Sequence, residues 1–425
     1  MSVLVAPEPA GTVAEPVRVV LARRSWKAPI SYGVLGLASL LCFGVFTAGD
    51  ARSTFVISTP ADAIQLDPVT VGSRLAAVAL SLLALALAAY SAVRTRDRRR
   101  VGGWVPIVFG VSVVLAFLVW TDAGRVQPIT FTSLLMSGLV LSIPLVFGSM
   151  AGLLCERSGI INIAIEGQLL AGAFAAAVVA TVAHNAYAGL LAAPVAGALV
   201  SVVLVFFAIR YRVDQIIVGV VLNGLVIGLT SFLYSAVLSK NIEHLNSPAR
   251  LPVLPVPGLS EIPIVGPVLF RQTALVYLMY VAVIALQVLV FRSRWGLRMR
   301  SVGEHPKAAD TVGINVNRTR WRNAVLGGAA FTIALGLAFG KEMTGGKGYI
   351  ALAAMILGRW NPKGAFAAAV LFGFADSLRT GLSLVGTPVP SQFLAMLPYL
   401  ATIFAVAGLV GRVRAPAAEG IPYVK

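Results

Sequence analysis

The sequence predicts an all-α polytopic membrane protein of about 10–12 transmembrane helices, with an inverted internal repeat and broken helices. Of its 425 residues, 58% are hydrophobic and only 12% are charged, and the mean hydropathy is +0.87. A soluble domain is nearer half apolar and a quarter charged. The second observation is that the apolar residues gather in runs of the length that crosses a hydrocarbon core. The third is a short repeated segment, described below.

The same composition excludes several other classes of protein. Disorder requires low hydrophobicity and high charge, and a disulfide scaffold requires more cysteines than Cys42 and Cys155. The net charge of +17 does not indicate nucleic-acid binding, because the basic residues lie between apolar runs and form no single patch. The three histidines and two distant cysteines have no metal-ligand spacing, so we expect no metal site.

Eleven apolar segments could each cross a membrane, and a spanning helix needs about 20 such residues. Residues 1–28 precede them; they are rich in Pro and Ala and lack a signal-peptide core, so we expect a disordered cytoplasmic tail. The segments are roughly 30–49, 71–93, 103–121, 129–151, 160–183, 187–209, 215–238, 274–292, 323–340, 349–379 (ambiguous) and 393–411.

The distribution of Lys and Arg predicts the orientation, because loops on the cytoplasmic side carry the excess. With the N-terminus inside, 25 of the 34 basic residues fall on the cytoplasmic side and nine outside. The basic loop 292–322 is then inside and the Pro-rich stretch 248–267 is outside. If 349–379 crosses once, the C-terminus lies outside; if it turns back at 359–364, the C-terminus lies inside. The repeat favours the first and the charges favour the second, which we adopt.

The internal repeat is the heptapeptide GAFAAAV, which occurs at 172–178 and again at 364–370. Each copy follows a short apolar segment that starts at a glycine, Gly159 or Gly348. The spans before the two copies run in opposite directions, so the halves are predicted to be inverted repeats. Transporters of this kind bind substrate at the repeat interface, near interrupted helices.

Asn162 and Glu166 are four residues apart and are predicted to share one helix face. Gly159 and Gly167 beside them permit close approach of another backbone. Two interpretations are equally open: a polar face that lines a substrate path, or side chains that cap and pin a broken helix.

The loop 292–322 is predicted to hold a two-turn cytoplasmic helix. Ser301 and Glu304 have the spacing of a capping box, Pro306 suits a first turn, and Gly313 suits the end. Either this helix rests on headgroups, with neighbouring arginines contacting anionic lipid, or it docks into another protein.

Catalytic and nucleotide-binding patterns are missing from the sequence. No Ser/His/Asp or Cys/His arrangement has a recognisable spacing. Thr344-Gly-Gly-Lys-Gly348 fails the phosphate-loop pattern, since Gly348 stands where Ser or Thr is required. We therefore expect a non-enzymatic chain with no cofactor of its own.

Three stretches in the same order resemble a known family. They are ERSGIINIAIEGQLLAGAF (156–174), WGLRMRSVGEHPKAADTVGI (295–314) and TGGKGYIALAAMILGRWNPKGAFAAAVLFGFADSL (344–378). They resemble permease subunits of ABC importers in the branch that serves branched-chain amino acids, simple sugars and nucleosides. The form ERSG-x-x-N-x-x-x-EG with GRWNP is most similar to the nucleoside and simple-sugar permeases that work with binding lipoproteins of the basic-membrane-protein type.

The resemblance implies a domain organisation with a type II ABC importer-like fold. The permease core is 128–411, with repeat halves at about 129–240 and 274–411 and a coupling loop at 293–322. Residues 29–127 form a three-span N-terminal extension outside the resemblance, and residues 412–425 form a C-terminal tail.

The resemblance also implies roles for three groups of residues. Those that couple to the ATPase are Gly303, Glu304, His305, Pro306, Lys307, Ala308 and Ala309. Those of the candidate substrate path are Asn162, Glu166, Gly167, Asn223, Trp360, Asn361 and Asp376. Motif and hinge positions are Glu156, Arg157, Ser158, Gly159, Gly346, Gly348 and Pro362.

The function that the resemblance implies is that of the transmembrane permease in an ATP-driven importer, which moves a nucleoside or simple sugar inward by alternating access. The expected partners are an ABC ATPase subunit that carries ATP and Mg²⁺, a second and related permease, a substrate-binding lipoprotein outside, and membrane lipid, with no nucleic acid. The expected location is the cytoplasmic membrane of a bacterium. The alternatives are an ion-coupled secondary transporter, which would use intramembrane carboxylates such as Glu166 and Asp376, and a membrane-embedded enzyme, for which the sequence offers no polar cluster.

Overall fold

The structure, a computed structural model, describes residues 25–59, 62, 64–125, 129–330, 338–385 and 414–425, with isolated positions between 390 and 399. The helices in these ranges are α1 (Lys27–Ser39), α2 (Ser73–Arg96), α3 (Trp104–Asp122), α4 (Phe131–Glu156), α5 (Ile165–Val182), α6 (Ala186–Val205), α7 (Gln215–Ala236), α8 (Ile242–Leu245), α9 (Ala274–Arg292), α10 (Arg294–Glu304), α11 (Pro306–Thr311), α12 (Val316–Ala330), α13 (Lys347–Leu357) and α14 (Pro362–Val385). The strands are β1 (Arg52–Val56), β2 (Val69–Gly72), β3 (Ile129–Thr130), β4 (Val253–Pro255) and β5 (Arg271–Thr273).

The polytopic all-α prediction is confirmed. Within the described residues, nine helices are long and apolar enough to cross a membrane: Lys27–Val45, Ser73–Arg96, Trp104–Asp122, Phe131–Glu156, Ile165–Val182, Ala186–Arg210, Gln215–Lys240, Ala274–Arg292 and Pro362–Ser383. The predicted span 323–340 begins inside α12 and runs into residues that are not described. The predicted tail 1–28 and the span 393–411 lie largely outside the described residues.

The first three spans form a bundle that packs against the rest of the chain. Within the bundle Tyr32 of α1 stacks on Phe109 of α3, with ring centroids 4.6 Å apart. Strand β1 pairs with β3, the strand that leads into α4. Leu118 of α3 is buried together with Leu382 of α14. The N-terminal extension is thus anchored to α4 and α14, which gives it at least a structural role.

Helix α4 is the central helix of the core, and every residue from Ser142 to Glu156 is buried. Helix α14 lies against it at close range, because Gly138 and Gly373 bring the two backbones together. A Cβ at Gly138 would lie 3.0 Å from the Cα of Phe374. Small residues at such crossings are typical of helix packing in membranes, where close van der Waals contact stabilises the pair.

The ambiguous segment 349–379 turns back and does not cross once. Helix α13 has 11 residues, about 16 Å of helix, which is half of a hydrocarbon core. Arg359 and Trp360 then adopt left-handed backbone conformations, with φ of +57° and +51°. Helix α14 starts at Pro362 and runs back along α4 until Ser377 bonds the carbonyl of Leu134. The segment therefore takes the turned-back course that the charges favoured, and the orientation of the chain in the membrane stays a prediction.

Helix directions support the inverted repeat, but the heptapeptide does not mark it. We call the end of the molecule that holds α10 and α11 the coupling side. Helices α4, α5 and α6 run toward, away from and toward the coupling side, and α12, α13 and α14 run away, toward and away. The copy at 172–178 lies in α5 and the copy at 364–370 lies in α14. In an inverted repeat the equivalent of α5 is α13, so the interpretation of the two copies as equivalent positions was wrong. Both copies lie in helices that run away from the coupling side and that are rich in small apolar residues.

The predicted capping box in the coupling loop was also wrong. Two helices form a hairpin there, which we call the coupling hairpin: α10 and α11, with a break at His305. Ser293 caps α10 by accepting from the N–H of Gly296, so Ser301 falls in the last turn of that helix. Its hydroxyl bonds the carbonyl of Arg298. Pro306 does begin the short helix, and Gly313 follows it with φ of +82°.

Candidate functional site: contacts from the coupling hairpin to the half-helix

The half-helix α13 begins against the side chain of Glu166, in the first turn of α5. The carboxylate accepts hydrogen bonds from the Thr344 hydroxyl (2.6 Å), the Gly346 N–H (2.9 Å) and the Gly348 N–H (2.6 Å). The glycine-rich stretch that fails as a phosphate loop therefore points its amides at a carboxylate of the same chain. Glu166 is 4% exposed, and at this depth every unpaired amide would be costly.

Gly348 is where the two helices touch. A Cβ at this position would lie 2.5 Å from the Cα of Glu166 and 2.8 Å from its Oε2. The positive N-terminal ends of α5 and α13 therefore meet at one point, and the negative charge of Glu166 between them offsets the two dipoles. Gly346 precedes α13 with φ of +82°, a conformation that favours glycine. Gly346 and Gly348 thus lie at the start of α13, where the helix meets α5; their role as a hinge stays a prediction.

Asn223 of α7 ties the start of α5 to α13. Its Oδ1 accepts from the N–H of Gly167 at 2.8 Å. Its Nδ2 donates to the carbonyl of Ile163 at 2.9 Å and to the hydroxyl of Tyr349 at 3.0 Å. The side chain is buried and every polar atom has a partner in this network. Asn223 and Gly167 hold the junction of three helices.

Asn162 does not share a helix face with Glu166, because α5 starts at Ile165 and residues 157–164 are not helical. The amide of Asn162 exchanges two hydrogen bonds with that of Gln168, at 3.1 and 3.2 Å. Gln168 also bonds the hydroxyl of Ser201 on α6. Gln215, the first residue of α7, holds the non-helical segment 157–164 in place, because its Oε1 accepts a hydrogen bond from the N–H of Ile161.

The ERSG turn, residues 156–159, joins α4 to the start of α14. Arg157 donates from Nε and Nη2 to the carbonyl of Trp360, at 3.0 and 2.9 Å. The indole Nε1 of Trp360 donates back to Glu156 at 2.6 Å. Trp360 is 5% exposed, so it packs inside the protein. Beside it, Asn361 caps α14 by accepting from the N–H of Lys363, and Pro362 takes the first helical position.

The coupling hairpin rests directly on the ERSG turn. A Cβ at Gly303, in the last turn of α10, would overlap the carbonyl of Arg157. Gly159 has φ of +91° and lies against the guanidinium of Arg320. The hairpin and the turn are therefore in direct contact, and the turn leads along residues 158–164 to Glu166 and α13. Contacts continue without a gap from the coupling side to the middle of the core.

Within the coupling hairpin, the seven predicted residues divide by exposure. His305, Lys307 and Ala308 are exposed on the outer face. Gly303 is buried, and Ala309 is 3% exposed in a small core with Val302 and Val316. The remaining two, Glu304 and Pro306, are half-buried. The outer face is available to a partner, and the inner face holds the hairpin to the protein.

The segment 414–425 is a part of the site that sequence reasoning missed. Arg320 of α12 is 1% exposed and donates to the carbonyls of Ser158, Ala418 and Ile421. The N–H of Ala418 bonds the carbonyl of Gly303 at 2.9 Å. Burial raises the pKa of Glu419, which lies beside Glu156. In the sequence Arg320 looks like one more cytoplasmic charge, and no pattern in the segment signals its docking.

A cavity of about 290 Å³ with both polar and apolar walls opens where α13 starts, on the side that faces away from the coupling hairpin. Thr344, Lys347, Phe372, Asp376 and Arg379 line it. Asp376 and Arg379 form an ion pair at 2.8 Å. Among the residues predicted for the substrate path, Asp376 lines this cavity. The side chains of Asn162, Glu166, Asn223 and Trp360 instead make hydrogen bonds to other residues of the chain.

The family described as "Branched-chain amino acid transport system / permease component" matches residues 134–409. The guanosine ABC transporter permease protein NupQ of Bacillus subtilis is 38% identical, over 68% of this chain and 95% of its own length. The nucleoside ABC transporter permease protein NupC of Lactococcus lactis is 37% identical over the same shares.

A putative glucose ABC transporter permease protein of Haloferax volcanii is 32% identical, over 61% of this chain and 86% of its own length. No solved structure gave a match. The matched range starts within α4, so the N-terminal extension lies outside it. The chain belongs to the family of permease components of branched-chain amino acid transport systems.

Proposed function

We propose that this permease subunit moves nucleosides inward across the cytoplasmic membrane of a bacterium, driven by ATP that a partner subunit hydrolyses. The observation that carries the substrate class is the similarity to two relatives, at 38% and 37% identity, whose names state guanosine and nucleoside transport. The coupling side faces the cytoplasm in this proposal, because the excess of Lys and Arg lies there.

The contacts described above support a mechanism of alternating access. When ATP draws two partner ATPases together, the coupling hairpin moves with them and pushes the ERSG turn through Gly303. The turn carries Trp360 and the start of α14 on one side, and residues 158–164 on the other. Glu166 then transmits the displacement to α13, the half-helix beside the cavity. The two interrupted segments act as hinges, as they do in transporters with inverted repeats.

The size and lining of the cavity at the start of α13 suit a small polar solute. Its volume of about 290 Å³ is at the lower end for small-molecule sites. Tyr399, which also lines the cavity and is 59% exposed, offers a ring for stacking on a base, and the Asp376–Arg379 pair offers acceptors and donors for ribose hydroxyls. We place the solute's passage along this cavity, with Asp376 on its wall.

Three partner subunits would complete this importer. ATP and Mg²⁺ bind the ATPase subunit, a second and related permease completes the membrane channel, and a lipoprotein outside delivers the solute.

Uptake of labelled guanosine by cells that contain or lack this chain tests the substrate class. Unlabelled adenosine and uridine should compete, and glucose and leucine should not. Competition by glucose alone would assign the chain to the sugar permeases instead.

Ala308→Trp should uncouple ATP hydrolysis from transport. Ala308 is exposed on α11, so an indole there enters the partner interface without disturbing the core. We expect normal membrane insertion and about tenfold less solute moved per ATP, the factor that an overpacked contact of about 1.4 kcal/mol produces. Ala309 is unsuitable for this test, since its side chain is buried.

The matched control is Ser239→Trp, an exposed position on the opposite side of the molecule, which should transport normally. The measurement is nucleoside uptake and phosphate release from the same membranes. Normal coupling in Ala308→Trp would remove α11 from the ATPase interface.

A further inference from the structure

The segment 414–425 lies across the coupling hairpin and extends its outer surface. Its backbone is fixed at two points: Ala418 N–H bonds the carbonyl of Gly303, and Gly420 N–H bonds the carbonyl of Gly159. Farther along, Lys425 Nζ lies 3.8 Å from Asp310 on α11. Tyr423 packs against the small core that contains Ala309. The segment thus runs from the ERSG turn to the side of α11.

Three apolar side chains of this composite surface point to water. Val312, which follows α11, is 73% exposed, and Ile421 and Val424 of the segment are 56% and 55% exposed. Charged side chains lie among them, including Lys307, which is exposed and makes no ion pair within the described residues. The hydrogen bonds of the segment hold Ile421 and Val424 beside α11, so the exposed apolar side chains lie next to the helix that is proposed to meet the ATPase.

We infer that the segment 414–425 forms part of the docking surface for the ABC ATPase subunit, together with α11. This inference rests on the proposed function, which assigns α11 to that partner. Because Asp310 of α11 contacts Lys425, a protein that covers α11 also reaches the end of the segment. The partner's cleft should combine an apolar floor for Val312, Ile421 and Val424 with acidic side chains that face Lys307 and Lys425.

The consequence is a second route for force between the ATPase and the core. The first route passes through α11, α10 and Gly303 to the ERSG turn. The second passes through the segment to Gly159, by the bond from Gly420, and to Arg320, which holds the carbonyls of Ala418 and Ile421. Both routes end on the turn that leads to Glu166.

Site-specific photo-crosslinking in cells that carry the whole importer tests the inference. A photoreactive phenylalanine analogue replaces Val424, Val312 or, as control, Asp97, an exposed residue in the loop after α2 on the coupling side. We expect positions 424 and 312 to crosslink to a protein with a Walker A motif and position 97 to give no such product. Crosslinking from 312 without 424 would overturn the inference and leave the proposed function standing. Absence of the product from both positions would contradict the proposed function itself.

A substitution pair provides the second test. Val424→Asp and Ile421→Asp should each lower the amount of ATPase recovered with the tagged chain by about fivefold, because burying a carboxylate against the apolar floor of the interface is unfavourable. Val69→Asp, at an exposed valine on the opposite side of the molecule, should leave recovery unchanged. Because both side chains are exposed, the variants should insert and fold; unchanged recovery in both would overturn the inference.

Discussion

Gly348→Ala is expected to abolish nucleoside uptake while the protein still inserts into the membrane. The added Cβ would lie 2.5 Å from the Cα of Glu166, and neither backbone can move without separating α13 from α5. Overpacking of this kind costs about 1–3 kcal/mol. It also lengthens the hydrogen bonds that the Glu166 carboxylate accepts from Gly346 and Gly348, which are 2.9 and 2.6 Å. The measurement is initial uptake at matched abundance in the membrane.

Gly340→Ala is the matched control for this variant. It lies in the same stretch before α13, and an added Cβ there would meet nothing closer than Met343 Cβ at 4.0 Å. We expect uptake near that of the unmodified chain. Normal uptake by Gly348→Ala would show that the close approach of α13 to α5 has no part in transport, and the hinge at this position would have to be abandoned.

Glu166→Ala should be the second most damaging change, and comparison with Glu166→Gln separates two roles for the carboxylate. Removing the side chain leaves the Thr344 hydroxyl and the N–H groups of Gly346 and Gly348 without their acceptor. Each unsatisfied buried group costs about 1–3 kcal/mol. We expect loss of uptake and a lower midpoint of thermal unfolding in detergent for the alanine variant.

Glutamine keeps one acceptor oxygen and loses the charge, so Glu166→Gln should retain part of the uptake if the residue is a structural pin. A proton-coupling carboxylate would behave differently, because glutamine cannot release a proton and coupled uptake would be lost as fully as with alanine. Glu243→Ala, at an exposed carboxylate on α8, serves as control. Equal and complete loss in both Glu166 variants, with normal thermal stability, would favour the ion-coupled alternative.

The spans and the turn near Trp360 could be predicted from the sequence, because both follow from local properties of the chain. Runs of apolar residues predict the helices, and placing the excess of basic residues on one side favours a chain that turns back near Arg359. The helix ends were less predictable. Ser301 and Glu304 have capping-box spacing, yet Ser293 caps the helix earlier, since α10 packs through Gly303 on the ERSG turn.

Among the site residues, too, local properties could be predicted from the sequence and tertiary contacts could not. Asn162 and Glu166 stand out in the sequence, because amides and carboxylates inside a membrane need partners. Their partners are Gln168 and the amides before α13, which come from tertiary packing and leave no mark on spacing. The docking of 414–425 on Gly303 and Gly159 depends on backbone hydrogen bonds that any residue type can make, so the sequence could not predict it.

The central claim is that an ATPase drives nucleosides through this chain, and reconstitution tests it most directly. The tagged chain is isolated in mild detergent with its partners, placed in lipid vesicles, and supplied with labelled guanosine, with and without ATP. The account predicts that a subunit with a Walker A motif is recovered with the chain, and that uptake needs ATP and continues when the proton gradient is collapsed. A chain that is isolated alone and takes up guanosine without ATP, until the gradient is collapsed, would contradict it.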